Sequence, residues 1–97
     1  MRPIICRVAL TFPFRARLFS FDRKVVTFFG KDGERMVECA IATEALKARF
    51  GLEAADRQSA FDAFDRARAE IEAKAKEKYE RRAIDPDGIV MLWSRDF

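Results

Sequence analysis

The 97-residue chain contains no histidine, and that absence excludes more chemistry than any motif in the sequence supports. Histidine is the commonest general base near neutral pH and the commonest metal ligand. Without it, neither a Ser–His nor a Cys–His nucleophilic pair can be assembled within one chain. Two cysteines, Cys6 and Cys39, are too few for a Cys₄, Cys₃His or Cys₂His₂ zinc site and too few for the disulfide framework of a small secreted domain. No apolar run approaches the ~20 residues of a membrane span, and Arg7 interrupts what would be the apolar region of a signal peptide. The expectation is a cytoplasmic protein with reduced thiols and no membrane association. With only four glycines and three prolines, no segment reads as disordered or low-complexity.

What is present is an ordinary globular composition, 36% charged and 49% apolar, with ten phenylalanines, one tryptophan and one tyrosine. The length predicts one domain spanning residues 1–97 around a single modest core, to which each large aromatic adds roughly 150–250 Å² of buried surface. The net charge of +3 is unevenly spread. Residues 1–24 carry six cations against Asp22 alone, so the basic excess belongs to the N-terminal quarter, where an anionic partner would meet the protein.

In the segment Ile4 to Phe12, the apolar face Ile4, Cys6, Val8, Leu10 and Phe12 alternates with Ile5, Arg7, Ala9 and Thr11 nearer solvent, which predicts a strand with Cys6 on its apolar face. Pro13 cannot donate to a ladder, so this strand is expected to end there or to run along an edge. Phe14 to Lys24 interleaves aromatics with cations. Arg15, Arg17, Arg23 and Lys24 are the candidate nucleic-acid-binding residues, because cations neutralise phosphates while Phe19 or Phe21 is available to stack on unpaired bases. The competing structural explanation has Leu18, Phe19 and Phe21 closing over the core while the cations stay in water.

Val25 to Ala42 reads as a β-hairpin around the turn Gly30-Lys31-Asp32-Gly33. Val37, Cys39 and Ile41 share one face of its second strand, and Val25, Val26, Phe28 and Phe29 make the first strand apolar on both faces. Such a strand is either covered on both sides or faces a partner chain. Thr43 to Phe50 reads as a short helix with Thr43 as its N-cap and Gly51 as its stop. From about Asp56 to Arg82 the stripe Phe61, Phe64, Ile71, Ala75 and Tyr79 predicts one long helix. Arg68 lies on that stripe and must lay its stem over the core with its charge outward. About 27 residues at 1.5 Å each would make this helix near 40 Å long, more than a domain of this size can cover, so its end is expected to protrude, bend or meet a second subunit. Asp85-Pro86-Asp87-Gly88 is a turn by composition, and Ile89 to Trp93 reads as a last strand.

Carboxylate pairs such as Asp62 with Asp65, or Asp85 with Asp87, are expected to be solvated rather than to form an acid–base or magnesium site. Ser20, Ser59 and Ser94 lack nucleophile-elbow glycines. The expectation is therefore no enzyme, no cofactor and no metal.

Phe21-Asp22, the β-run ending in Phe29-Gly30-Lys31-Asp32-Gly33, the Glu38 to Leu46 segment, Ala60-Phe61-Asp62, Ala75, Lys78-Tyr79 and the closing Asp96-Phe97 together resemble the bacterial domain-of-unknown-function family numbered 1488 over roughly residues 10–97. Departures are a run before Leu10, Phe29 where the family often has tryptophan, and a longer turn before the last strand. The resemblance implies a small bacterial α+β domain and carries no activity with it. The predicted fold is α+β: a mostly antiparallel sheet of about four strands with one short and one long helix on one face, in the order β-β-β-α-α-β. The predicted role is a non-enzymatic binding or protein-interaction module, homodimeric or with another protein partner, with nucleic-acid binding as the alternative.

Overall fold

The computed structural model describes residues 10–52, 56–81 and 88–97. The predicted strand before Leu10, with Cys6, and the Asp85-Pro86-Asp87 part of the last turn lie outside the described residues. The elements are β1 (Arg17–Ser20), β2 (Val25–Asp32), β3 (Arg35–Ala42), α1 (Thr43–Phe50), α2 (Arg57–Arg66), α3 (Arg68–Glu80) and β4 (Val90–Leu92), closed by a 3₁₀ turn over Ser94–Asp96. The strands lie in the order β1-β2-β3-β4. The first three are antiparallel, while β4 runs parallel to β3. The α+β class and the rough element order follow the expectation, in a sheet that is mixed, and β1 falls within Phe14 to Lys24, a stretch the sequence does not mark as a strand. Parallel pairing of β3 with β4 requires a crossover, and the three helices supply it.

The β2–β3 hairpin is tighter than the sequence predicts. Asp32 pairs with Arg35, so the loop is Gly33-Glu34 and Gly30 stays in the ladder. Gly33 takes the positive φ, 65°. Gly30 serves close packing instead: a Cβ there would stand 2.8 Å from Leu10 Cδ1 and 3.0 Å from Phe12 Cε1. Thr43 is the first residue of α1 rather than its cap. Ala42 holds the cap position with no side-chain hydrogen bond, and Gly51 ends the helix in the left-handed conformation, as expected.

The single long helix is a second correction. It breaks at Ala67, whose φ and ψ are −109° and 15° and whose N–H is shared between the Ala63 and Phe64 carbonyls. Of the two helices, α2 packs against β1 and β2 and α3 against β4. Their far end is held within the chain, where the Tyr79 hydroxyl and an Asp32 carboxylate oxygen are 2.7 Å apart in a hydrogen bond.

Period-two alternation sends Val26 and Phe28 of β2, and Val37, Cys39 and Ile41 of β3, to the helix-covered face. There they join Leu10, Leu46, Ala60, Ala63, Phe64, Ile71, Ala75, Val90 and Leu92 in the main core. The Phe28 and Phe64 rings meet at 5.1 Å, and Phe12 lies 5.9 Å from Phe28. On the opposite face a second cluster joins Val25, Ala40, Ala42, Ile89 and Met91, with Trp93 packed against it.

The edge beside β2 is interrupted. Thr11 bridges Lys31 and Arg17 pairs with Phe28, so the edge chain takes six steps where β2 takes three. The excess bulges out at Pro13 to Ala16. Arg68 reaches into this bulge from α3. Its Nη2 donates to the Phe14 carbonyl at 2.7 Å, its Nη1 to the Arg15 carbonyl at 3.2 Å, and its Nε to Glu72 at 2.7 Å. The guanidinium also lies 5.1 Å from the centre of the Phe64 ring.

Candidate functional site

The four basic residues singled out in the sequence do not share one environment. Arg17 points to the helix face, where Nη2 donates to Asp65 Oδ2 at 3.0 Å and Nε stands 2.9 Å from Oδ1, out of line for a second hydrogen bond. Its guanidinium carbon sits 4.2 Å from the centre of the Phe61 ring. Arg15 belongs to the bulge and is exposed. Arg23 and Lys24 lie in the β1–β2 turn, both exposed. Lys24 is the one non-glycine with positive φ among the described residues, 55°. It is held there by its own N–H donating to the Ser20 carbonyl at 2.8 Å and by Thr43 N–H donating to its carbonyl at 2.9 Å.

Of the aromatics in this stretch, Phe19 is half-buried against the core, while Phe21 is 65% exposed and Leu18 59% exposed. Only Phe19 closes over the core as the structural explanation requires. Leu18 fails to do so because its alternation within β1 turns it to the sheet face away from the helices.

Two surface features follow. The first is on the open sheet face: Leu18 and the 58%-exposed Met36 lie beside half-buried Thr27 and Phe29. No helix among the described residues has its buried positions on this face. The second is a cavity of about 370 Å³ between the β1–β2 turn, α1 and the start of α2, lined by Phe19, Phe21, Lys24, Lys47, Leu52 and Ala60 together with Thr43, Glu44 and Asp56. Phe19, Phe21 and Lys24 stand out in the sequence as a basic aromatic stretch, whereas Lys47, Leu52 and Ala60 join them only through the α1–α2 packing.

The closing Lys78-Tyr79 and Asp96-Phe97 pairs are structural. Lys78 Nζ donates to the Met91 carbonyl and, at 2.9 Å, to Asp96 Oδ2. That same oxygen accepts the Trp93 N–H at 2.7 Å, and Phe97 meets Phe50 edge-on at 5.2 Å. Burial works against ionisation of Asp96, but the Trp93 N–H and the Lys78 ammonium outweigh it and hold the carboxyl below its ordinary value of 3.8. A depressed folded-state value stabilises the fold above 3.8, and the contribution is lost as pH falls through the depressed value. We expect Asp96→Asn to lower the unfolding free energy by about 1 kcal/mol at neutral pH, with the gap narrowing below pH 3.8. Urea titrations at both pH values check this; a gap that is constant with pH would contradict it.

The Cys39 thiol is pushed up to about 12 by burial and, secondarily, by the Glu38 and Glu72 carboxylates, so it is a core side chain rather than a nucleophile. Among the described residues no group of three or more Cys, Asp or Glu side chains is placed to hold a metal ion, and no helix is long and apolar enough to cross a membrane.

The family model described as "Protein of unknown function (DUF1488)" matches residues 10–92. A crystal structure of a protein of unknown function from the same family, from Shewanella loihica PV-4, superposes with a TM-score of 0.77 at 17% identity, covering 93% of this chain and 96% of that one. At that identity the likeness speaks for the fold. No curated protein matches.

Proposed function

Since the chain belongs to the DUF1488 family, whose function is unknown, we propose from its own geometry that it is a non-enzymatic interaction module that self-associates through the open half of its sheet. The observation that carries this reading is the strip Leu18, Thr27, Phe29 and Met36, on the face opposite the helices. Two large apolar side chains more than half exposed on a flat strand surface favour burial against another surface. A second copy supplies the same strip, and twisted sheets stack face to face readily. The end of α3 is not part of this surface, because Tyr79 is hydrogen-bonded to Asp32 within the chain.

Replacing Leu18 or Met36 by lysine is expected to weaken self-association by about tenfold or more each while changing stability little, since both sites are exposed. Analytical size exclusion over a dilution series reads this. An unchanged elution profile in the Leu18→Lys/Met36→Lys double variant would remove the strip from any interface.

A second reading, nucleic-acid binding, draws on exposed Arg23 and Lys24 in the same turn as the exposed ring of Phe21, with exposed Arg15 apart from them in the bulge. Arg17 contributes less to it because its charge is already met by Asp65. Fluorescence anisotropy with short single-stranded and duplex probes tests it: binding should weaken with salt and with Arg23→Gln/Lys24→Gln. No binding at low salt would end this reading.

A further inference from the structure

The cavity between the β1–β2 turn and the α1–α2 corner joins an apolar interior to a charged mouth. Ala60 is buried in it, Phe19 and Leu52 are half-buried, and Phe21 stands exposed at the mouth with its ring edge-on to Phe19 at 4.7 Å. Four charged side chains border this interior, and they are differently committed. Glu44 Oε2 accepts the Ser94 N–H at 2.8 Å. Asp56 Oδ1 accepts the Ser59 N–H at 2.7 Å and so caps α2. Both carboxylates are thus fixed by backbone donors.

The two ammonium groups are not so committed. Lys47 follows Glu44 by three positions on α1, a spacing at which the pair would ordinarily meet, but Glu44 is turned to Ser94 instead. Lys24 is presented from a left-handed backbone position that a lysine adopts only at a cost of order 1 kcal/mol. Among the described residues neither lysine has a hydrogen-bond or ion-pair partner for its ammonium.

We propose that this cavity binds a small monocarboxylate with an apolar tail, of medium-chain alkyl or aryl type. The tail occupies the space over Ala60 between Phe19, Phe21 and Leu52, and the carboxylate lies at the mouth against Lys24 and Lys47. Three properties match. The volume of about 370 Å³ falls at the small end of ligand cavities, roughly 300–1,000 Å³, which suits a small ligand. The apolar lining requires a tail without polar groups, because an unmatched hydroxyl or amide would be desolvated there. Both ammonium groups are without a partner among the described residues, whereas each carboxylate already accepts a backbone N–H, which favours an anionic head over an amine. This site is separate from the proposed association surface, since Leu18 and Met36 do not line it, so either proposal can fail without the other.

Titrating the isotope-labelled full chain with octanoate and with phenylacetate, and following backbone amide shifts, tests the site. Both probes are expected to saturate, with the largest shifts at Phe19, Phe21, Lys24, Lys47 and Ala60. Octylamine and 1-octanol, which keep the tail and change the head, should bind about tenfold more weakly or worse, as should octanoate to the Lys24→Gln/Lys47→Gln variant. Both lysines are exposed, so the variant keeps the fold, and Phe21→Ala should weaken all tailed probes alike. The proposal is overturned if neither carboxylate saturates, if the shifts map elsewhere, if octylamine binds as tightly as octanoate, or if the lysine variant binds octanoate unchanged.

Discussion

Truncating Phe64 to alanine should lower the unfolding free energy by about 3–5 kcal/mol, the range for a large aromatic lost from a packed core. Phe64 has no solvent exposure and stands where the two layers join: its ring meets Phe28 of β2 on one side and the Arg68 guanidinium on the other. Removing it opens a cavity between sheet and helix that neither rigid element can collapse to fill. Since a small domain has only about 5–15 kcal/mol in total, the variant should be partly unfolded under mild denaturant, which a urea titration followed by circular dichroism reads. Phe61→Ala, one turn earlier and half-buried, should cost clearly less. Equal costs at the two positions would contradict the assignment of Phe64 to the centre of the core.

Arg68→Ala should cost about 2–4 kcal/mol, an unusually large effect for an arginine on a helix. Its guanidinium is hydrogen-bonded to two carbonyls of the edge bulge and to Glu72. Bonds to a charged donor contribute more than neutral ones, and the half-buried Phe14 carbonyl left without a donor carries a desolvation cost. Arg68→Lys should recover only part of the loss, because an ammonium cannot span both carbonyls and Glu72 in one plane. The same urea titration checks both substitutions; a loss for Arg68→Ala within that of a surface substitution would show that the bulge does not depend on this side chain.

The elements carried by local periodicity were legible in the sequence. The hairpin pairing of Val25 to Ala42, the stop at Gly51 and the burial of Phe64, Ile71, Ala75 and Tyr79 all rest on spacing within one segment. What was hidden depends on contacts between distant segments. Gly30 reads as a turn residue until Leu10 and Phe12 are seen to pack on it. The break at Ala67 has no proline or glycine to announce it, and it coincides with the point where Arg68 turns to the bulge. Arg66 donates to the Phe50 carbonyl at 3.1 Å, a partner on another element that spacing within the helix does not announce. Of the cavity residues, Phe21 and Lys24 stand out in the sequence as a basic aromatic stretch. Lys47 does not, because its significance lies in Glu44 being turned elsewhere.

Self-association through the open sheet face is the central functional claim, and sedimentation equilibrium of the unmodified chain across micromolar concentrations, at low and moderate salt, tests it most directly. The expected result is a concentration-dependent approach to twice the 11.2 kDa chain mass that changes little with salt, because Leu18, Phe29 and Met36 are apolar and the Lys31 and Glu38 beside them on this face carry opposite charges. A mass that stays at one chain throughout the range would contradict it, as would a dimer that dissociates on adding salt.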